Sequence, residues 1–125
     1  RLAARFADEF NVPFCTVDVI VAQFDRVAGA VAAAGRAADS MTYSACFVVA
    51  AGRDDAEVSR RAGAIGRELD ELRTNTPLVG TPDEIVDRLA PFAEAGVQRV
   101  YLQVLDLADL DHLEVFADGV IRQFR

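Results

Sequence analysis

Few side chains in this 125-residue sequence have the chemistry of a nucleophile, a metal ligand or a proton carrier. The single histidine, His112, sits in Asp-Leu-Asp-His-Leu-Glu, the first turn of an amphipathic helix, and is read as a solvated surface residue. Cys46 lies in an apolar run beside Phe47 and reads as a small buried hydrophobe. Cys15 follows a short extended run and is the better placed of the two thiols for function, although reactivity would require a lowered pKa. The cysteines stand 31 positions apart with no ligand-spaced partners, so neither a disulfide nor a metal site is expected. Ser44 lacks the Gly-x-Ser-x-Gly turn of a hydrolase nucleophile and reads as a packing or hydrogen-bonding residue. Asn11, Gln103 and Asp106 interrupt or end apolar β-type runs, as ligand-lining polar residues do. Gly80-Thr81-Pro82 opens a helix whose free amides could meet an anion such as a phosphate. Arg53, Arg67 and Arg73 precede it and could neutralise a phosphate or carboxylate, although each is read first as a solvated charge.

The elements that must position these residues follow from periodicity. Arg1–Ala7 reads as the last turns of an amphipathic helix with Leu2, Ala3 and Phe6 on one face, headless and therefore expected to continue from a longer chain. A first strand runs near 9–14, bounded by Pro13. Thr16 then caps a helix with Val17, Ile20, Phe24, Val27 and Val31 on one stripe, ended by a left-handed Gly35. The nearly continuous apolar run at 41–51 predicts a parallel strand covered on both faces. Asp54 and Glu57 form a capping arrangement for a helix to about Ile65, followed by an irregular stretch with a helical turn near 68–73. Thr81, Pro82 and Glu84 make a capping box for a helix that buries Ile85, Leu89, Phe92 and Ala93 and ends at Gly96. A third strand spans 97–105, and Leu110, Leu113, Phe116, Val120, Ile121 and Phe124 define a final helix.

Composition narrows the partners. Thirteen Lys plus Arg against 20 Asp plus Glu give a formal charge of −7, the wrong sign for nucleic-acid or anionic-membrane binding. No apolar run approaches the roughly 20 residues needed to span a bilayer, and no secretory pattern opens the sequence. A cytoplasmic protein with reduced cysteines is expected.

Strands alternating with amphipathic helices predict right-handed βαβ units around a parallel sheet. Three parallel strands alone leave two open edges, so the rhythm fits a partial (β/α)8 barrel, about its last three βα units, better than a doubly wound sheet. Residues 1–125 are read as one domain, with 52–79 as an insertion or lid on the face formed by the C-terminal strand ends, where barrel chemistry sits. Cys15, Asn11, Gln103 and the Gly80 helix start belong to that face.

Four segments carry a family resemblance: Arg-Leu-Ala-Ala-Arg-Phe-Ala-Asp-Glu-Phe-Asn (1–11), Gly-Thr-Pro-Asp-Glu-Ile (80–85), Ala-Glu-Ala-Gly-Val-Gln-Arg-Val-Tyr-Leu-Gln (93–103) and Asp-Leu-Asp-His-Leu-Glu (109–114). In this order and spacing the sequence resembles the C-terminal region of bacterial luciferase-like monooxygenases, above all the subgroup using deazaflavin coenzyme F420. The resemblance implies a (β/α)8 barrel that binds FMN or F420 at its mouth and transfers hydride or activates oxygen through it. It implies cofactor-binding roles for Asn11, Gly80, Thr81 and Gln103, a small-molecule substrate and a homo-oligomer. The family's Gly-rich cofactor-phosphate segment and main catalytic residues lie upstream of the matched pattern, so these 125 residues alone are expected to be inactive, with no catalytic residue assigned. Two alternatives stand beside this reading: a non-catalytic half-barrel that self-associates through open strand edges, and a different barrel enzyme taking a phosphorylated substrate at the Gly80 helix start.

Overall fold

A computed structural model describes residues 1–124. The elements are α1 (Leu2–Phe6), β1 (Glu9–Pro13), α2 (Val17–Ala33), β2 (Thr42–Val48), β3 (Ala50–Ala51), α3 (Asp55–Ala64), α4 (Leu69–Asn75), β4 (Val79–Gly80), α5 (Pro82–Glu94), β5 (Arg99–Gln103) and α6 (Leu110–Gly119), with 3-10 turns at Ala38–Ser40 and Ile121–Phe124. A three-stranded sheet has the order β1-β2-β5, and a two-stranded one pairs β3 with β4. β1 and β2 are parallel, with Glu9 opposite Thr42 and Pro13 opposite Cys46, and β3 and β4 are parallel as well. Parallel strands joined through helices confirm the α/β class. The chain divides into two compact units, one of residues 1–46 and 91–101, the other of 47–90 and the chain from Leu102 onward.

In the first unit the stripe read from sequence packs as expected. Ile20, Phe24, Val27 and Val31 are the buried residues of α2, and Gly35 takes φ 72° to end it. Val27 and Val31 form a cluster with Ala4 and Met41, flanked by Phe10 and Tyr43. The face of α1 differs from expectation, because Ala4 is buried while Leu2 and Phe6 are exposed. With only five residues the helix lacks the length for a stripe to define a face. What holds it is Arg36, whose guanidinium donates to the carbonyls of Ala4 (3.1 Å), Ala7 (2.8 Å) and Ser40 (2.9 Å). Thr16 is the N-cap of α2 but contributes no side-chain hydrogen bond there. Just past β1, Phe14 holds φ 51°, a left-handed conformation uncommon for a bulky residue, and its N–H donates to the Cys46 carbonyl at 3.0 Å.

In the second unit Ala50, Val58, Ala62, Leu72 and Val79 form the core, with Val48, Ile65 and Leu69 packed against it. Here the structure adds β4 to the three expected strands. Two residues are too short to show alternation, and only the long-range pairing of Val79 with Ala50 and of Gly80 with Ala51 defines them. The long apolar run near 41–51 is correspondingly split at Val49 between two sheets. The face assigned to the last helix changes in part. Phe116 and Val120 are buried as expected, but Leu110, Leu113, Ile121 and Phe124 are exposed, and His112 and Val115 are buried with Phe116 and Val120 instead. Their spacing of three, one and four residues is itself a helical stripe, hidden in the sequence by a polar member. In α5, Ile85, Leu89 and Phe92 are buried as expected, but Ala93 is exposed.

Two glycines allow close approach. A Cβ on Gly52 would meet Val58 N at 2.7 Å, and one on Gly119 would meet Pro82 Cγ at 2.5 Å. Gly119→Ala is expected to force α6 away from the start of α5 and to cost about 1–3 kcal/mol, as overpacking does. A urea melt checks this, and an unchanged midpoint would show that the two helices are not in the described register.

Candidate functional site

At the C-terminal end of β3 the chain must satisfy a buried strand terminus, and it does so with side chains from α3 and α6. Arg61, only 3% exposed, donates through Nη1 to the Ala51 carbonyl at 2.8 Å. The Ala51 N–H donates to Nε2 of His112 at 2.9 Å. The rest of the Arg61 guanidinium engages Asp109 (Nε to Oδ2, 2.8 Å), Asp111 (Nη2 to Oδ2, 2.7 Å) and Glu57 (Nη1 to Oε2, 3.3 Å). Asp109 also caps α6, its Oδ1 accepting from the His112 N–H at 3.0 Å. Arg53 completes the network by gripping Asp111 with both terminal nitrogens, Nη1 to Oδ2 at 2.8 Å, and by pairing with Glu57.

The electrostatics follow from this geometry. Hydrogen bonds from Arg53 hold the Asp111 carboxyl far below the ordinary range, with Arg61 adding to the effect. Arg61 in turn lowers Asp109. Burial opposes the charge on Arg61, but its carboxylate partners win and its pKa rises. Burial pushes His112 down, reinforced by Arg61.

His112 is therefore not the solvated residue expected from its polar neighbours. It is buried, and its Nε2 acts as an acceptor. Arg53, expected as a solvated charge, is paired instead, as are Arg73 with Asp55 at 2.7 Å and Arg67 with Glu71 at 3.7 Å. All three guanidiniums already face carboxylates of their own chain, which leaves an external anion to compete with these groups.

The Gly80 helix start is likewise occupied. Glu84 Oε2 accepts from the Thr81 N–H at 2.7 Å and from its hydroxyl at 3.1 Å, so the capping box forms in its N–H half. Gly80 adopts φ 142°. The Glu84 carboxylate at this helix start would compete with a phosphate for the Thr81 donors. Beside it, a depression of about 310 Å³ is lined by Arg53, Pro82, Glu114, Val115, Asp118 and Gly119. Gln103, the last residue of β5, is exposed and its side chain makes no hydrogen bond among the described residues. Asp106 accepts from the Ala108 N–H at 3.1 Å, a loop-stabilising role.

In the first unit Asn11 is exposed and donates from Nδ2 to Ser44 Oγ at 2.9 Å. Ser44 is fully buried, in keeping with a packing and hydrogen-bonding residue. The same sheet carries a cluster that sequence reading missed. Glu9 pairs with Arg99, and Tyr101 donates to Glu9 Oε2 at 3.2 Å. The Ser44 hydroxyl, then Tyr101 and Arg99, hold the Glu9 carboxyl below its ordinary pKa against desolvation, although its Oε1 is buried without a partner of full hydrogen-bond geometry. Glu9 and Arg99 are the first residues of their strands. Cys15 and Cys46 are free and half-buried, and burial raises the Cys15 thiol, opposite to a reactive thiolate. Among the described residues no His, Cys, Asp and Glu grouping could hold a metal ion, and no helix is long and apolar enough to cross a membrane.

No family model matches the chain, and no curated protein does. Solved structures do. The coenzyme F420 dependent tetrahydromethanopterin reductase from Methanopyrus kandleri matches 98% of this chain over 47% of its own, with TM-score 0.73 and 16% identity. EDTA monooxygenase from a Chelativorans species matches 98% over 42%, with TM-score 0.77 and 20% identity. An F420-dependent secondary alcohol dehydrogenase in complex with an F420-acetone adduct matches 95% over 44%, with TM-score 0.74 and 12% identity. The chain thus spans less than half the length of these structures, and its fold is part of the (β/α)8 barrel they share. Nearly all of the chain is covered, and the fold agrees with the one the sequence resemblance implies.

Removing Arg61 leaves Asp109 and the Ala51 carbonyl without their side-chain donor and takes one of its donors from Asp111. Arg61→Met is expected to destabilise by about 3 kcal/mol or more, whereas Arg53→Ala, at the exposed rim, should cost much less. Urea midpoints of the two variants decide this, and equal losses would refute the central role of Arg61.

Proposed function

We propose that this chain supplies C-terminal βα units of a flavin- or F420-dependent oxidoreductase or monooxygenase of the luciferase-like kind. The observation that carries this reading is the match of 95–98% of the chain to F420-dependent enzymes and a monooxygenase of the same fold. When bound, FMN or F420 would supply the hydride transfer or oxygen activation. This chain's part is to line and wall the mouth of the barrel.

Gln103 ends β5 with a free amide directed from an exposed position, which suits a ring carbonyl or nitrogen of the cofactor or a polar group of a small-molecule substrate. Asn11 keeps its Oδ1 available while Ser44 fixes the orientation of its Nδ2. Gly80 and Thr81 contribute shape at the mouth, because Glu84 already takes the Thr81 N–H and hydroxyl. The chain alone is inactive. The helical segment within 52–79 forms a wall of the same face, and a cytoplasmic homo-oligomer without nucleic-acid or membrane partners completes the proposal.

The natural polypeptide containing this sequence, isolated from its host, is expected to carry a flavin or deazaflavin chromophore identifiable by mass after denaturation. Gln103→Ala in that polypeptide should weaken cofactor retention about tenfold, the value of one good hydrogen bond, without lowering thermal stability. A colourless polypeptide that neither cofactor protects against heat would overturn the proposal. If that colourless protein also formed a concentration-dependent oligomer, the self-associating half-barrel would replace it.

A further inference from the structure

The hydrogen bond between Ala51 and His112 fixes more than position. A backbone N–H is always a donor, so the 2.9 Å contact requires an unprotonated Nε2 and places the proton of the neutral imidazole on Nδ1. With His112 only 4% exposed, water cannot readily take over if that acceptor is lost. We infer that neutral His112 is a latch holding α6 to the end of β3, and that protonation of its imidazole releases the helix.

Protonation would set two N–H donors face to face and add a cation beside Arg61. The charged groups facing the imidazole are Arg60 and Arg61 from α3, and Asp106 and Asp109 from the segment leading into α6, while β3 presents only backbone. The aspartates favour the imidazolium, but Asp109 is already committed to Arg61 at 2.8 Å and to the His112 N–H at 3.0 Å. Burial, the largest influence, and the guanidinium of Arg61 disfavour it, so the folded imidazole binds its proton more weakly than an unfolded one. The open form therefore takes up protons preferentially. The closing contribution is complete above the ordinary His pKa of about 6.5 and is lost as pH falls through the lowered folded value.

The chain has one histidine, so its imidazole resonance is unambiguous and few other groups titrate in this range. Amide hydrogen exchange of the 125-residue protein between about pH 7.5 and 5, converted to protection factors, follows the opening of α6 and of the Ala51 amide. Opening is expected to rise with acid by up to about tenfold per pH unit, with an imidazole midpoint below about 6.5. His112→Gln, which can offer an amide oxygen to the Ala51 N–H at any pH in this range, should remove that slope while keeping α6 protected. Protection factors constant from neutral to acid in the parent protein, or the same slope in His112→Gln, would overturn the latch. Should His112→Gln fail to fold, the parent's imidazole titration decides: a midpoint below the ordinary value that coincides with opening supports the inference, and titration at the ordinary value with an undisturbed Ala51 amide refutes it.

Discussion

The amide and carbonyl of Ala51 are both held by side chains that arrive from elsewhere in the chain, His112 from α6 and Arg61 from α3. Unpaired backbone groups in a buried strand end would cost about 1–3 kcal/mol each, and two-residue strands offer few ladder bonds to absorb that cost. Satisfying both groups at one residue therefore ties two helices to β3 at once. The remaining donors of Arg61 then fall on Asp109 and Asp111, and Asp109 in turn caps α6. The start of the last helix, the end of β3 and the middle of α3 become one hydrogen-bonded unit.

That arrangement also governs what the arginines are free to do. In an acidic chain whose cations are all arginine, each guanidinium of this face finds a carboxylate within the chain: Arg53 with Asp111, Arg61 with Asp109, and Arg73 with Asp55. The carboxylate of Glu84 does the same for the donors at Thr81. A phosphate arriving here would have to displace internal partners. The first unit shows the contrast within one sheet, where Glu9 and Arg99 at the beginning of their strands pair with each other and with Tyr101, while Asn11 lies further along.

How far the sequence could be read depends on the range over which each signal acts. The stripe of α2, the capped start of α5 at Thr81 and the left-handed turn at Gly35 all come from residues within a few positions of one another. They were legible because helix period, capping and turn chemistry are local. β4 was not, since Val79 and Gly80 become a strand only by pairing with Ala50 and Ala51. The buried face of α6 was misread for a related reason: a polar His in the stripe made the exposed Leu110 and Leu113 look like its core side.

The sequence by itself determined the alternation of strands and helices, the net acidic charge, and the likeness to an F420- or flavin-using barrel. Only the tertiary structure decided that His112 is an acceptor in the interior, that Arg61 is the hub of an ion network, and that Glu84 takes the Thr81 donors. The partners in those contacts lie 61 residues from Ala51 and 48 to 50 residues from Arg61. Charge and hydrogen bonding depend on distance in space, which periodicity along the chain does not encode.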